Sequence, residues 1–444
     1  MRRPSPARLN EMRTKPRIRP ANSRSDRRQR VPPALTRGSE RVAAISILDE
    51  LTSDLGLVLW RSARNVLLWA ETPHSSRGEL FAGEAGSGRI HLLALVNAEP
   101  ELRAPLLVIA DLLARPGTAD LLRVVNACRR ISLWAEQRGA LATALEFTQA
   151  AALASPDAAS LAFAVGRLAR RLADYDRAES WYTRAVVQAR EHQDWRSYAS
   201  ALAGIGNLHV QRGNYPAAKR THLRCLHAAT RHQVSEMVAA AYHNLFDVEV
   251  EMQAGLEADV LAARALAAYG QPSEGMYRLA YDVAYHWTLR GYYAGALGIA
   301  RALESASTEP GFAPQLQAVI ARAAAGLGDR ATYESAAARV DELLSDPSIP
   351  GDVAARTLLG LAHAALNIGE PRSAAAYADE AVSIARKRSE GRVALEAESV
   401  LDAAQRRIDV AVPIRTALDT PAPSLASDFV RALSCASGPA LVAA

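Results

Sequence analysis

Ala178, Ala218 and Ala258 stand 40 residues apart, and Gly166, Gly206 and Phe246 keep the same step twelve residues ahead of each. A fixed period of this size restricts a helix-forming chain to stacked helical hairpins, because each unit covers its apolar face only by packing on its neighbours. Alanine, leucine and arginine dominate and β-branched runs are scarce, so the predicted class is all-α, an α-solenoid of antiparallel helix pairs without sheet. With 444 residues, 49% of them apolar, the chain can bury a large core, which a solenoid spreads along its length.

The clearest unit contains Leu202, Ile205, Gly206, Gly213-Asn214-Tyr215, Ala218, His222 and Cys225, and the unit before it contains Gly166, Asp174-Tyr175, Ala178, Tyr182 and Ala185. Gly206 and Ala218 are expected to face one another where the two helices cross, their lack of bulk letting the axes approach to about 8–10 Å. Gly213 is expected to take the left-handed conformation that ends the first helix, with Tyr215 opening the second. Fainter copies run upstream through Gly139, Ala144 and Ala151, and downstream through Gly255 to Ala265, Gly291 to Ala300, Gly328, and Leu358 to Ala381.

The charge is unevenly placed. Residues 1–41 hold 13 Lys or Arg against Glu11, Asp26 and Glu40, a net +10 in a chain whose total is +5. Prolines break these runs and few bulky apolar residues accompany them, so a disordered basic tail is predicted. Residues 42–118 are expected to form an N-terminal helical cap or bundle around Trp60 and Trp69, residues 119–409 the solenoid, and residues 410–444 a tail whose short helix seals the far end.

The units resemble the tetratricopeptide repeat. There a small residue stands at position 8 of the first helix, Gly/Asp-Tyr at the turn, and Ala, an aromatic and Ala at positions 20, 24 and 27. The 40-residue period, with Gly206-Asn207-Leu208-His209 and Gly213-Asn214-Tyr215, is most similar to the long-repeat subclass of kinesin light chains, Pins-type adaptors and Rap-type receptors. That resemblance implies a right-handed superhelix and a non-catalytic scaffold that takes a peptide or helix of another protein in its concave groove. Family positions 2, 5, 6, 9, 12 and 13 would line this groove. The residues it picks out are Arg129, Arg167, Arg170, Asn207, Gln211, His243, Asn244, Asp247, Tyr281 and Tyr285, with Asn126, Arg130, Phe163, Arg171, Glu251 and Arg322 beside them. The lining runs from cationic to amide, acidic and aromatic, a gradient suited to orienting an extended segment. In an arginine-rich chain the same arginines also serve simply to solvate the surface. The lysine and asparagine pattern of the chaperone carboxylate clamp is not reproduced. An alternative use of the same solenoid is a sensor that receives a peptide or small ligand while the basic tail contacts nucleic acid or an effector. No aromatic is interleaved in that tail to stack on bases.

Other chemistry is poorly supported. Gly83 to Gly88 has the spacing of a phosphate-binding loop, but Arg89 and Ile90 stand where lysine and Ser/Thr are needed, and no strand precedes it. His209, His222, Cys225, His227, His232 and His243 cluster in sequence, yet helical spacing scatters them over different faces, which favours packing over a metal site. No Ser, His and acid grouping has a recognisable turn around it, so neither catalysis nor a cofactor is expected. Cys128, Cys225 and Cys435 are odd in number and far apart, as expected of reduced thiols in the cytoplasm. No stretch approaches a membrane span. Only three lysines accompany the arginines, a bias expected of a GC-rich, bacterial type of genome.

Overall fold

The computed structural model describes residues 47–51, 54–81, 88, 99–253, 255–306, 312–346, 349, 351–387, 390–408 and 423–434. The basic tail, the loop at Gly83 to Gly88 apart from Gly88 itself, and Cys435 lie outside them. Four helices precede or open the array: α1 (Ile47–Glu50), α2 (Asp54–Glu71), α3 (Pro100–Ala114) and α4 (Leu121–Gln137). There follow α5 (Leu141–Ala154), α6 (Ala159–Arg171), α7 (Tyr175–Glu191), α8 (Trp195–Gln211), α9 (Tyr215–Arg231), α10 (Ser235–Glu251) and α11 (Gly255–Tyr269). The second half holds α12 (Glu274–Arg290), α13 (Tyr293–Ala306), α14 (Ala313–Leu327), α15 (Arg330–Leu344), α16 (Gly351–Ile368), α17 (Pro371–Lys387), α18 (Gly391–Ile408) and α19 (Pro423–Ser434). Among the described residues there is no strand. From α4 to α18, each helix packs on a sequence neighbour or on the helix two along, so the molecule is an all-α solenoid.

Helices α7 to α10 are all 17 residues long, because each ends in the same way. Ala173, Gln193, Gly213, Gln233 and Gln253, 20 residues apart, take positive φ between 57° and 70°. After four of these, the next backbone N–H (Asp174, Asp194, Asn214, Val234) reaches back to the carbonyl of Ala169, Ala189, His209 or Ala229 at 2.8–3.0 Å. That is a Schellman closure, and the residue completing it is also the N-cap of the following helix. Asp174, Asp194 and Asn214 each accept a bond from the amide three residues on. The 40-residue sequence period is thus built from two 20-residue halves with one turn chemistry. Gly213 is left-handed as expected, and non-glycine residues hold the same conformation at its four equivalents.

At the helix crossing the tightest neighbour of Gly206 is a ring. A Cβ built on Gly206 lands 2.6 Å from Nε2 of His222, and the imidazole supplies all three of its nearest atoms; Ala218 is not among them. Tyr182 fills the corresponding place, its ring lying 2.6 and 2.5 Å from Cβ positions on Gly166 and Gly204. The glycines therefore make room for a bulky ring at position 24. His222 and Cys225 are fully buried. Burial pushes the His222 pKa down to about 4 and the Cys225 thiol up to about 12, as suits packing residues.

At the N-terminal end, α1 and α2 lie on α5. Glu50 caps α5 from outside, accepting from the amides of Ala142 and Thr143 at 2.6 and 2.8 Å, where Ala140 has no side chain for the task. Trp69 is buried and donates to the Pro116 carbonyl at 2.8 Å. At the other end α18 packs on α17, but α19 does not seal the array as expected. It folds back onto α13 and touches α11, placing Leu425, Phe429 and Leu433 in the core of the second half.

Candidate functional site

The first helices of successive hairpins touch one another along the array, and the side chains at the positions expected to line a groove fall into three patches. In the first, Arg167 of α6 grips both carboxylate oxygens of Glu136 on α4 at 2.8 Å, and Arg171 reaches the same group at 3.1 Å. The cationic end inferred from sequence is therefore partly neutralised from within. Arg129 and Gln211 are exposed, and Arg170 is half-buried with its charge bearing on the Tyr182 phenol. Asn207 and Asn244 are half-buried and have no hydrogen-bond partner among the described residues.

The second patch is acidic. His243 of α10 places Nε2 2.9 Å from Oδ2 of Asp282 on α12 and 3.9 Å from Oδ1 of Asp247, while the Tyr269 hydroxyl lies 3.4 Å from Nδ1. Burial opposes a charge on His243, but the bond to Asp282 and the fields of both carboxylates outweigh it and raise its pKa. Desolvation, only partly opposed by His243 and helped by the Asp282 and Glu251 charges, raises that of Asp247 as well. The Asp247 side chain keeps 45% exposure, so solvent screens part of this effect. His243, Asp247 and Asp282 offer ligand atoms within 4.8 Å of one another, the single such group among the described residues. A cation there would compete with the proton that His243 already shares with Asp282.

The third patch is aromatic and cationic. Tyr281 and Tyr285 of α12 stack at 6.2 Å between centroids, and Phe312 meets Tyr281 edge-on at 4.7 Å. With Gln315 and Arg322 of α14 and Arg356 of α16, the two tyrosines line a narrow cleft shared by the first helices of three successive hairpins. Burial raises the pKa of both phenols, so they stay neutral donors.

The structure thus brings together His243 with Asp247, and Tyr281 with Tyr285, while Arg167 is turned to Glu136. Asp282, Tyr269, Gln315 and Arg356 were missed. Asp282 holds the repeat position that singled out Arg130 and Asn244, and Arg356 stands at position 2 of the unit containing Leu358, so the repeat frame carried the signal for both. Tyr269, from the second helix of its hairpin, had none.

Residues 160–194, which make α6 and α7, match the family model of the tetratricopeptide repeat. No curated protein matches the sequence. Similar solved structures include a Rap protein complexed with competence and sporulation factor (TM-score 0.44, 11% identity, covering 79% of this chain and 99% of that one). Two others are BtubC (BKLC) from P. vanneervenii (0.31, 14%, 68% and 96%) and the tetratricopeptide domain of P58(IPK) (0.22, 15%, 76% and 97%). At these scores and identities they carry no function over to this chain. One repeat, residues 160–194, thus matches the tetratricopeptide model in sequence, and the hairpins on either side of it pack helix on helix in the same manner.

Proposed function

We propose that this protein is a non-catalytic scaffold whose concave groove binds an extended peptide of a partner protein. The observation that carries the reading is the set of half-buried hydrogen-bonding groups on the inner wall that the protein leaves unpaired. The amides of Asn207 and Asn244 and the hydroxyls of Tyr281 and Tyr285 have no hydrogen-bond partner among the described residues. Side-chain amides spaced along a groove can pair with the backbone of an extended guest whatever its sequence, and the acidic and aromatic patches would add selectivity. A folded helix satisfies its own backbone and would leave such amides unused, which favours the extended guest.

Panning a displayed random-peptide library on the full chain tests this. Enriched peptides should bind the wild type and lose about tenfold or more in affinity to the Asn207→Leu, Asn244→Leu double variant, each lost bond being worth about 1 kcal/mol. Enriched peptides that bind the double variant equally well would place the contact elsewhere.

A further inference from the structure

Arg322 is buried to 8% exposure on the inner wall, yet its guanidinium has no hydrogen bond or ion pair among the described residues, and its Nε is shut off from solvent without a partner. A buried cation in that state is costly, and the usual remedy is a counter-ion in place. The carboxylate that acts on it, Glu396, is turned to His363, whose Nε2 lies 3.5 Å away. Arg356 opens onto the same cleft and has no ion-pair partner either. The Thr357 hydroxyl is already spent on the Val353 carbonyl at 2.7 Å, but the two phenol hydroxyls of Tyr281 and Tyr285 are free to donate.

We infer that the cleft between Tyr281, Tyr285, Arg322 and Arg356 is an anion subsite that takes one carboxylate of the guest. This rests on the groove reading above and names the chemistry at one end of it. Arg322, Arg356 and Arg392 outnumber the Glu396 charge around the Tyr285 phenol, so the cleft carries the net positive charge that suits a carboxylate. The stacked rings form one wall of a cleft whose volume of about 10 Å³ takes a single water, so a carboxylate would enter as the exposed Arg356 side chain swings aside to meet it, and a guanidinium fork can bind that planar group bidentately. The carboxylate can come from a peptide C-terminus or from an Asp or Glu side chain.

The subsite can be tested apart from any peptide by thermal melting of the full chain in sodium acetate against sodium chloride at equal ionic strength. Without acetate, Arg322→Met should melt higher than wild type, because an uncompensated buried charge is replaced by a side chain of similar length. Acetate should then raise the wild-type melting temperature and leave that of Arg322→Met unmoved. Arg356→Ala, at an exposed position, guards against a folding defect and should show a reduced response. A lower melting temperature for Arg322→Met, or equal acetate responses in all three proteins, overturns the subsite.

Fluorescence anisotropy with three hexapeptide pools then separates the sources: acid-free with free C-termini, acid-free and amidated, and amidated with one Asp or Glu. Preference for the first assigns a terminal carboxylate, and preference for the third a side chain. Equal binding of all three pools to wild type and Arg322→Met overturns the subsite while the groove reading stands. An acetate response without binding of any pool keeps the subsite and removes the peptide reading.

Discussion

At the scale of the residue, this fold depends on absent side chains as much as on present ones. Gly206 exists to seat the His222 ring, and Gly166 with Gly204 to seat that of Tyr182. Gly206→Ala should therefore cost about 2 kcal/mol, since the imidazole is buried on all sides and cannot retreat. Combined with His222→Ala, the same change should cost far less than the two single changes added, as denaturant unfolding of all four proteins would read. Strict additivity would mean that the two positions do not share a contact. The 40-residue spacing identified the glycine as constrained, but it could not say which partner constrained it. Position 20 and position 24 are both close in a helical projection, and only the crossing geometry chooses between them. The left-handed residues show a similar limit. Gly213 announced itself, whereas Ala173, Gln193, Gln233 and Gln253 gave no sign, because closure of the surrounding turn outweighs a steric penalty of about 1 kcal/mol.

At the scale of the element, helices α4 to α18 were legible from period and amphipathic pattern, and α19 was legible as a helix but not in its place. It lies on α13 because that helix presents a thin outer surface, where Gly298 faces Val430 with room to spare. Nothing local to residues 423–434 encodes this, since the complementary surface is more than a hundred residues away. Phe429 is fully buried in the contact. Phe429→Ala should remove about 3 kcal/mol from a short helix held by few other anchors. The expected outcome is early tryptic cleavage at Arg431 while the hairpins stay protected. Unchanged protection of Arg431 would show that the rest of the contact suffices.

At the scale of the whole molecule, the array curls far enough for helices eight apart to meet. Arg392 at the start of α18 reaches Glu251 at the end of α10 at 3.1 Å, and Glu251 also accepts from the Tyr215 hydroxyl. With Arg392 78% exposed, the pair contributes about 0–1 kcal/mol to stability, but it ties together two helices eight apart in the array. A solenoid is elastic because each hairpin touches only its neighbours. Arg392→Ala should thus leave the melting temperature nearly unchanged and enlarge the radius of gyration in small-angle scattering. An unaltered radius would show that packing alone sets the curvature. By itself the sequence determined the hairpin and its period, because those follow from spacing along one chain segment. Only the tertiary structure decided which groove charges remain free. Arg167 is neutralised by Glu136, Asp282 joins His243, and Arg322 is left without a counter-ion, since each outcome depends on distances between separate helices that no periodicity records.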